Sequence, residues 1–299
     1  MIRSNLKKMY DPTFTVSDQY KDSLPDLQNG PASLIEGADV PIQQVGVSNF
    51  KLPLKIPSRN GDYRELETSV DGYVGLEAGK KGINMSRIVR TFYEFQDEIF
   101  HIGRLSDVLH AYKEDLETHT GQLRLSFNYP MLQESLRSEL EGYQYYSVSY
   151  EGTMDANNRF RKFLHLEFDY SSACPCSYEL AEHARDLRNV AAIPHSQRSV
   201  ANLTLELEEE MYVEDVVELC RNALMTETQV MVKREDEQAF AEMNGAYQKF
   251  VEDAARLLYE ELDDYDPILD FVVRCIHMES LHSHDAVSRI CKGAKGGLR

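Results

Sequence analysis

The apolar residues of this chain change period in the same order twice, and that order limits the folds open to it. Val45, Val47, Phe50, Leu52, Leu54 and Ile56 alternate as in a strand, and Leu66, Thr68 and Val70 continue the pattern in a second. Met85, Ile88, Val89, Phe92, Phe95 and Ile99 then recur at helical spacing, followed by Leu105, Val108, Leu109, Tyr112 and Leu116. Alternation returns at 123–127 and at 143–150. The second half runs through strands at 160–170 and 200–207, helices at 213–224 and 238–262, and strands at 268–278 and 286–291. Each half reads ββααββ, a repeat of element order and not of sequence identity. The fold class this predicts is α+β: antiparallel strands with one apolar face, and helices covering that face. We expect an irregular arm over 1–38, a first module over 39–157 and a second over 158–299. Asn157-Asn158 marks the junction, and a long connection spans 171–198. Exposed strand edges favour closure of such sheets into a barrel by oligomerisation.

Composition narrows the function. The 299 residues suit one large domain or two of ordinary size, with 42% apolar residues to build a core. A net charge of −18 argues against a general nucleic-acid or anionic-membrane binder, so no nucleic acid and no membrane are expected as partners. No run approaches the roughly 18 apolar residues of a membrane span. Residues 1–18 are polar and lack an apolar h-region, so the sequence predicts no signal peptide and a cytoplasmic location. Five cysteines, an odd and sparse set, read as reduced thiols. Cys220, Cys275 and Cys291 lie among apolar neighbours and read as small core residues.

The polar stretches that could carry chemistry cluster in the second half. Ser172-Ala173-Cys174-Pro175-Cys176-Ser177 puts a thiol directly after a strand, on a segment stiffened by Pro175, where it could bind a metal or act as a nucleophile. A C-x-C pair alone is equally at home as structure. Pro194-His195-Ser196-Gln197-Arg198-Ser199 places a histidine before the next strand, near the cysteine if those strands pair. Lys233-Arg234-Glu235-Asp236-Glu237 is a charge run, and such runs are usually solvated faces. Glu252, beside Phe250 and Val251 in an amphipathic helix, is a carboxylate that needs a partner. His277-Met278-Glu279-Ser280-Leu281-His282-Ser283-His284 is either a source of metal ligands or a titrating surface cluster. Gly79-Lys80-Lys81-Gly82-Ile83-Asn84-Met85-Ser86-Arg87 enters the first helix with the backbone N–H groups and cations that suit phosphate. No P-loop, dinucleotide fingerprint, nucleophile elbow or zincin motif is present.

Taken together, in order from about residue 40 to the C-terminus, these stretches resemble GTP cyclohydrolase type IB. The matching pieces are Gly82–Arg87, Ser172–Ser177, Pro194–Ser199, Lys233–Glu237, Phe250–Asp253 and Glu279–His284. The resemblance implies a tandem tunnelling fold (T-fold), a homotetramer, and conversion of GTP and water to 7,8-dihydroneopterin triphosphate and formate at the start of tetrahydrofolate biosynthesis. It makes Cys174 and His195 the catalytic positions, and Cys174, His195, Glu237 and His282 the ligands of a divalent metal, zinc or manganese, with iron a further option. Glu252 becomes the guanine-binding carboxylate. Lys80, Lys81, Arg87 and Arg198 become candidates for the triphosphate, the first two as candidates for a neighbouring module's site. Tyr178 stands where the family often has lysine, so His183 and Arg185 receive no role. Other readings of the same residues are an archaeal-type cyclohydrolase giving a cyclic phosphate, a T-fold nitrile reductase, and a non-catalytic metal-binding protein.

Overall fold

The computed structural model describes residues 9–299; the start of the expected arm, 1–8, lies outside the described residues. The rest of the arm carries a short helix, α1 (Asp18–Asp22), and a single 3-10 turn, Ala32–Leu34, and is almost wholly exposed.

The strands are β1 (Ile42–Pro57), β2 (Tyr63–Leu76), β3 (Gly121–Glu134), β4 (Glu141–Met154), β5 (Phe160–Ala173), β6 (Ser196–Leu207), β7 (Ile268–His277) and β8 (Ala286–Cys291). They form one eight-stranded antiparallel sheet in chain order. On β3, Leu123, Leu125, Phe127 and Tyr129 are buried while Gln122, Arg124, Ser126 and Asn128 face the other way, the alternation that a one-sided sheet requires. Helices α2 (Met85–Tyr93) and α3 (Leu105–Asp115) cover the first half of the apolar face. Helices α5 (Val213–Leu224) and α7 (Val251–Asp263) cover the second. A single core cluster runs from Leu52 to Cys275. Gly72 lets α2 and α3 approach β2: a Cβ there would stand 2.9 Å from Ile88 and 3.0 Å from the Tyr112 hydroxyl. The expected α+β class, with helices on one face of an antiparallel sheet, is what the chain forms. No helix among the described residues is long and apolar enough to cross a membrane.

The second half departs from a strict ββααββ order. The connection read over 171–198 contains a helix, α4 (Pro175–Arg188). Its apolar residues form no buried stripe: only Ala181 is buried, while Leu180 and Leu187 are 69% and 72% exposed, so periodicity could not reveal it. The helix read over 238–262 is two, α6 (Arg234–Ala246) and α7, separated by the segment 247–250. Tyr247 and Phe250 carry the apolar pattern across that break.

The halves meet in a tight hairpin. Asp155 Oδ1 accepts the N–H groups of Asn157 at 2.9 Å and Arg159 at 2.8 Å, and Asn158 takes the left-handed conformation at φ 61°. Met154 then pairs with Phe160 and the ladder continues.

Strand alternation gives the sheet two ends. The ends of β1, β3, β5 and β7 and the starts of β2, β4, β6 and β8 share one; the remaining termini share the other.

Candidate active site

Cys174 and His195 sit where β5 and β6 leave the sheet. The last ladder pair is Ala173 with Ser196. Just beyond it, the Cys174 N–H donates to the His195 carbonyl at 3.2 Å. Cys174 is also the N-cap of α4, and Pro175 fills the first helical position, where its missing N–H costs nothing. The Ser177 hydroxyl, in that first turn, accepts the His195 N–H at 3.1 Å. Thiol and imidazole are thus carried by residues bonded backbone to backbone, and both are partly accessible. Cys176 is exposed.

The imidazole is oriented by neighbours. His195 Nδ1 lies 3.0 Å from Gln197 Oε1 and 3.4 Å from Glu279 Oε2. With a proton on Nδ1, both oxygens act as acceptors and Nε2 is left with a free lone pair. Gln197 is itself fixed, donating to Ser172 Oγ at 2.7 Å, and Ser172 meets Ser199 Oγ at 2.8 Å. Glu279 arrives because β7 pairs with β6 through His277 and Ser199, so the chain leaving β7 turns back over His195. In the sequence Glu279 stands only as one member of a possible ligand stretch, and Gln197 has no role. The available signal was that each lies within a polar stretch already singled out.

The other expected residues spread out. His277 is no surface group: it is 3% exposed, with Nε2 3.0 Å from the Tyr170 hydroxyl. Burial, together with the charge of Lys249, pushes its imidazole down to about 4. His282 and His284 are exposed on the β7–β8 loop with rings stacked at 4.8 Å. Glu237 is exposed in the first turns of α6. That helix is anchored near the site by Asn244, whose Oδ1 accepts from Ser171 Oγ at 2.6 Å. Glu237 lies seven residues earlier, about 10 Å along the axis at 1.5 Å per residue. Its neighbour Asp236 is buried and grips the β3–β4 hairpin, accepting from Arg137 N at 2.7 Å and Ser138 N at 3.0 Å. Glu252 is exposed in the first turn of α7.

Arg198 begins β6 at the same end of the sheet as Cys174, and it is exposed. Lys80, Lys81 and Arg87 gather at the opposite end, after β2, in a pocket also lined by Asn29 and Glu117. Lys80 Nζ donates to the Glu117 carbonyl at 2.8 Å, and Arg87 to the Asp115 carbonyl at 2.7 Å. The chain therefore does not bring these three cations to its own Cys174. Among the described residues, no three His, Cys, Asp or Glu side chains converge as a metal site would need. Cys174 and His195 offer two suitable donors, soft sulfur and imidazole nitrogen, while Glu237 and His282 stand on separate exposed segments.

Comparison with known proteins assigns the family. The model described as type I GTP cyclohydrolase FolE2 matches residues 24–288. GTP cyclohydrolase FolE2 of Dinoroseobacter shibae is 56% identical over 293 residues, covering 97% of this chain and 80% of that protein. The Paracoccus denitrificans protein of the same name is 53% identical over 289 residues, covering 96% and 90%. Among solved structures, uricase from Arthrobacter globiformis superposes with a TM-score of 0.51 at 10% identity, over 86% of this chain and 96% of that one. That likeness concerns the fold alone. On the family match and the relatives' identity, the chain belongs to the type I GTP cyclohydrolase FolE2 family.

Proposed function

We infer that this chain is a GTP cyclohydrolase, converting GTP and water to formate and 7,8-dihydroneopterin triphosphate at the start of tetrahydrofolate biosynthesis. The observation that carries the chemistry is the Cys174–His195 pair, joined through the backbone and backed by Glu279. We assign Cys174 and His195 as catalytic residues and as ligands of a divalent metal; Glu237 and His282, which this chain holds on separate exposed segments, would complete the set only by moving to that pair. Mixed sulfur, nitrogen and oxygen donors accept zinc, manganese or iron. A metal held there supplies Lewis acidity, bringing the pKa of water from about 15.7 towards 7.

The chain's own residues do the rest. His195, with Nδ1 facing Gln197 and Glu279, presents Nε2 outward as the metal donor or, when free, to move a proton at guanine N7 or the ribose ring oxygen. Glu252 accepts guanine N1–H and N2–H together, a paired contact that the two oxygens of one carboxylate can make. Against a net charge of −18, the triphosphate needs local cations. Arg198 lies at the site's own end of the sheet, and Lys80, Lys81 and Arg87 are proposed to serve a neighbouring chain's site.

This arrangement requires an oligomer, and a homotetramer is our reading. Among the described residues β8 leaves one edge without a partner strand, and the outer edge of β1 is bridged at Lys55 to Ile99 but pairs with no strand. Such edges invite pairing between chains. In the same reading 39–157 and 158–299 are two copies of one module, working in the cytoplasm.

The test is direct. Protein loaded in turn with zinc, manganese and ferrous iron is incubated with GTP, and formate and pterin fluorescence are followed. No turnover with any of them sinks the assignment. A cyclic phosphate product would move the chain to the archaeal-type reaction.

A further inference from the structure

Lys249 is 4% exposed, in the short segment between α6 and α7. Its backbone N–H donates to the carbonyl of Ala173 at 3.2 Å, the last residue of β5. Its ammonium donates to Thr226 Oγ1 at 3.2 Å and to the Tyr247 carbonyl. Thr226 passes the connection on: its hydroxyl donates to the Ser171 carbonyl at 2.6 Å, and its carbonyl accepts the Ser171 N–H at 2.8 Å. Both routes out of Lys249 end in Ser171–Ala173, the residues that lead into Cys174. In the other direction the chain goes straight into α7, whose N-cap is Phe250 and whose second residue is Glu252.

Packing alone does not call for a lysine here. Burial pushes its ammonium down to about 8, and its hydrogen-bond acceptors are all neutral. It also precedes the N-terminus of α7, where the helix dipole disfavours a cation. A methionine would fill the same space without a desolvated charge. What the ammonium adds is a directed bond from the entry of α7 to Thr226, beside a local bond to Tyr247 that shapes the segment itself.

We propose that Lys249 is a positioning residue: it fastens the start of α7, and with it the Glu252 carboxylate, to the end of β5 from which Cys174 departs. This role rests on reading Glu252 as the guanine-binding group. It gives the site a fixed spacing between the residue that recognises the base and the residues that act on it. Such spacing matters because displacements of about 1 Å between bound groups and reacting atoms cost up to about 100-fold in rate.

A double-mutant cycle tests it. GTP affinity is titrated on the full-length, metal-loaded protein for wild type, Lys249→Met, Glu252→Gln and the double variant. Lys249→Met is expected to weaken GTP about tenfold in the wild-type background and less than about twofold when Glu252→Gln is already present, because both act on one contact. Metal content per chain stays at the wild-type value. Additive losses, or loss of metal with Lys249→Met, overturn the role. Should that variant fail to fold, Thr226→Val removes the ammonium's acceptor and goes through the same cycle with the same outcomes. Wild-type protein that binds GTP without releasing formate refutes the cyclohydrolase reading and leaves the cycle legible. Wild-type turnover with additive losses refutes the role of Lys249 alone.

Discussion

The N–H of Cys174 meets the carbonyl of His195 at 3.2 Å, one step past the last ladder pair of β5 and β6. Two residues twenty-one positions apart are thereby held by the same sheet that forms the core. Thiol and imidazole inherit that rigidity instead of depending on loops.

Removing the thiol should separate the two cysteines. Cys174→Ala is expected to lower turnover by at least about 1000-fold and to reduce bound metal, as loss of a ligand that also takes part in the chemistry does. Cys176→Ala, at an exposed position, should stay within about threefold of wild type. Steady-state kinetics and metal analysis on both variants decide it. Equal losses would mean that Cys176 carries the role.

Glu279 should matter although it stands behind His195. Glu279→Gln keeps the shape and removes the charge at 3.4 Å from His195 Nδ1. Removing a carboxylate that orients a ligating histidine lowers metal affinity or activity by roughly 10- to 100-fold. A metal titration alongside GTP kinetics would show it, and wild-type values in both would remove Glu279 from the site.

If Arg87 serves a neighbouring chain, two inactive variants should rescue each other. Arg87→Ala spoils one end of the sheet and Cys174→Ala the other. Co-expressed as mixed oligomers, they form some sites with both defects and some with neither. Activity should return to about a quarter of wild type or less, depending on how many subunits share a site. Mixed oligomers as inactive as either parent would place the phosphate contacts elsewhere.

Asp236 sets an acid limit on the clamp between α6 and the β3–β4 hairpin. Burial opposes the shift, but hydrogen bonds from Lys233 N, Ser138 Oγ, Arg137 N and Ser138 N hold its carboxyl down to about 2, from an ordinary 3.8. A lowered folded value means the stabilisation is complete above the unfolded pKa and fades as pH drops from 3.8 through 2. The Arg137 and Ser138 amide resonances should titrate with a midpoint near 2, and Asp236→Asn should abolish that step. A midpoint near 3.8 would contradict the assignment.

Much of this was legible before any coordinates. Strand alternation located the sheet, because one face is buried and each inward residue is separated from the next by an outward one. Helices α2, α3 and α5 showed their apolar stripes for the same reason. Helix α4 did not: with Leu180 and Leu187 exposed, its limits are set by Pro175 at the first helical position and by the left-handed Asn189 that ends it. The site was legible as residue types, less so as contacts. His277 and His282 look alike in sequence, yet one faces Tyr170 in the core and the other solvent. That difference is set by the last register pair of β7, which no local pattern encodes. Lys249 was invisible for a related reason, since its partners Ala173 and Thr226 are distant in the chain and become neighbours through β5.

The hairpin at Asn158 has a consequence for how the chain tolerates damage. Either side of it, β4 and β5 are laced together from Val148–Leu166 to Met154–Phe160. A protease that cut the exposed turn would sever one covalent link and leave that whole seam closed. The halves would remain one body after nicking. What holds the chain together across this turn is the β4–β5 ladder, and the turn only links its two strands.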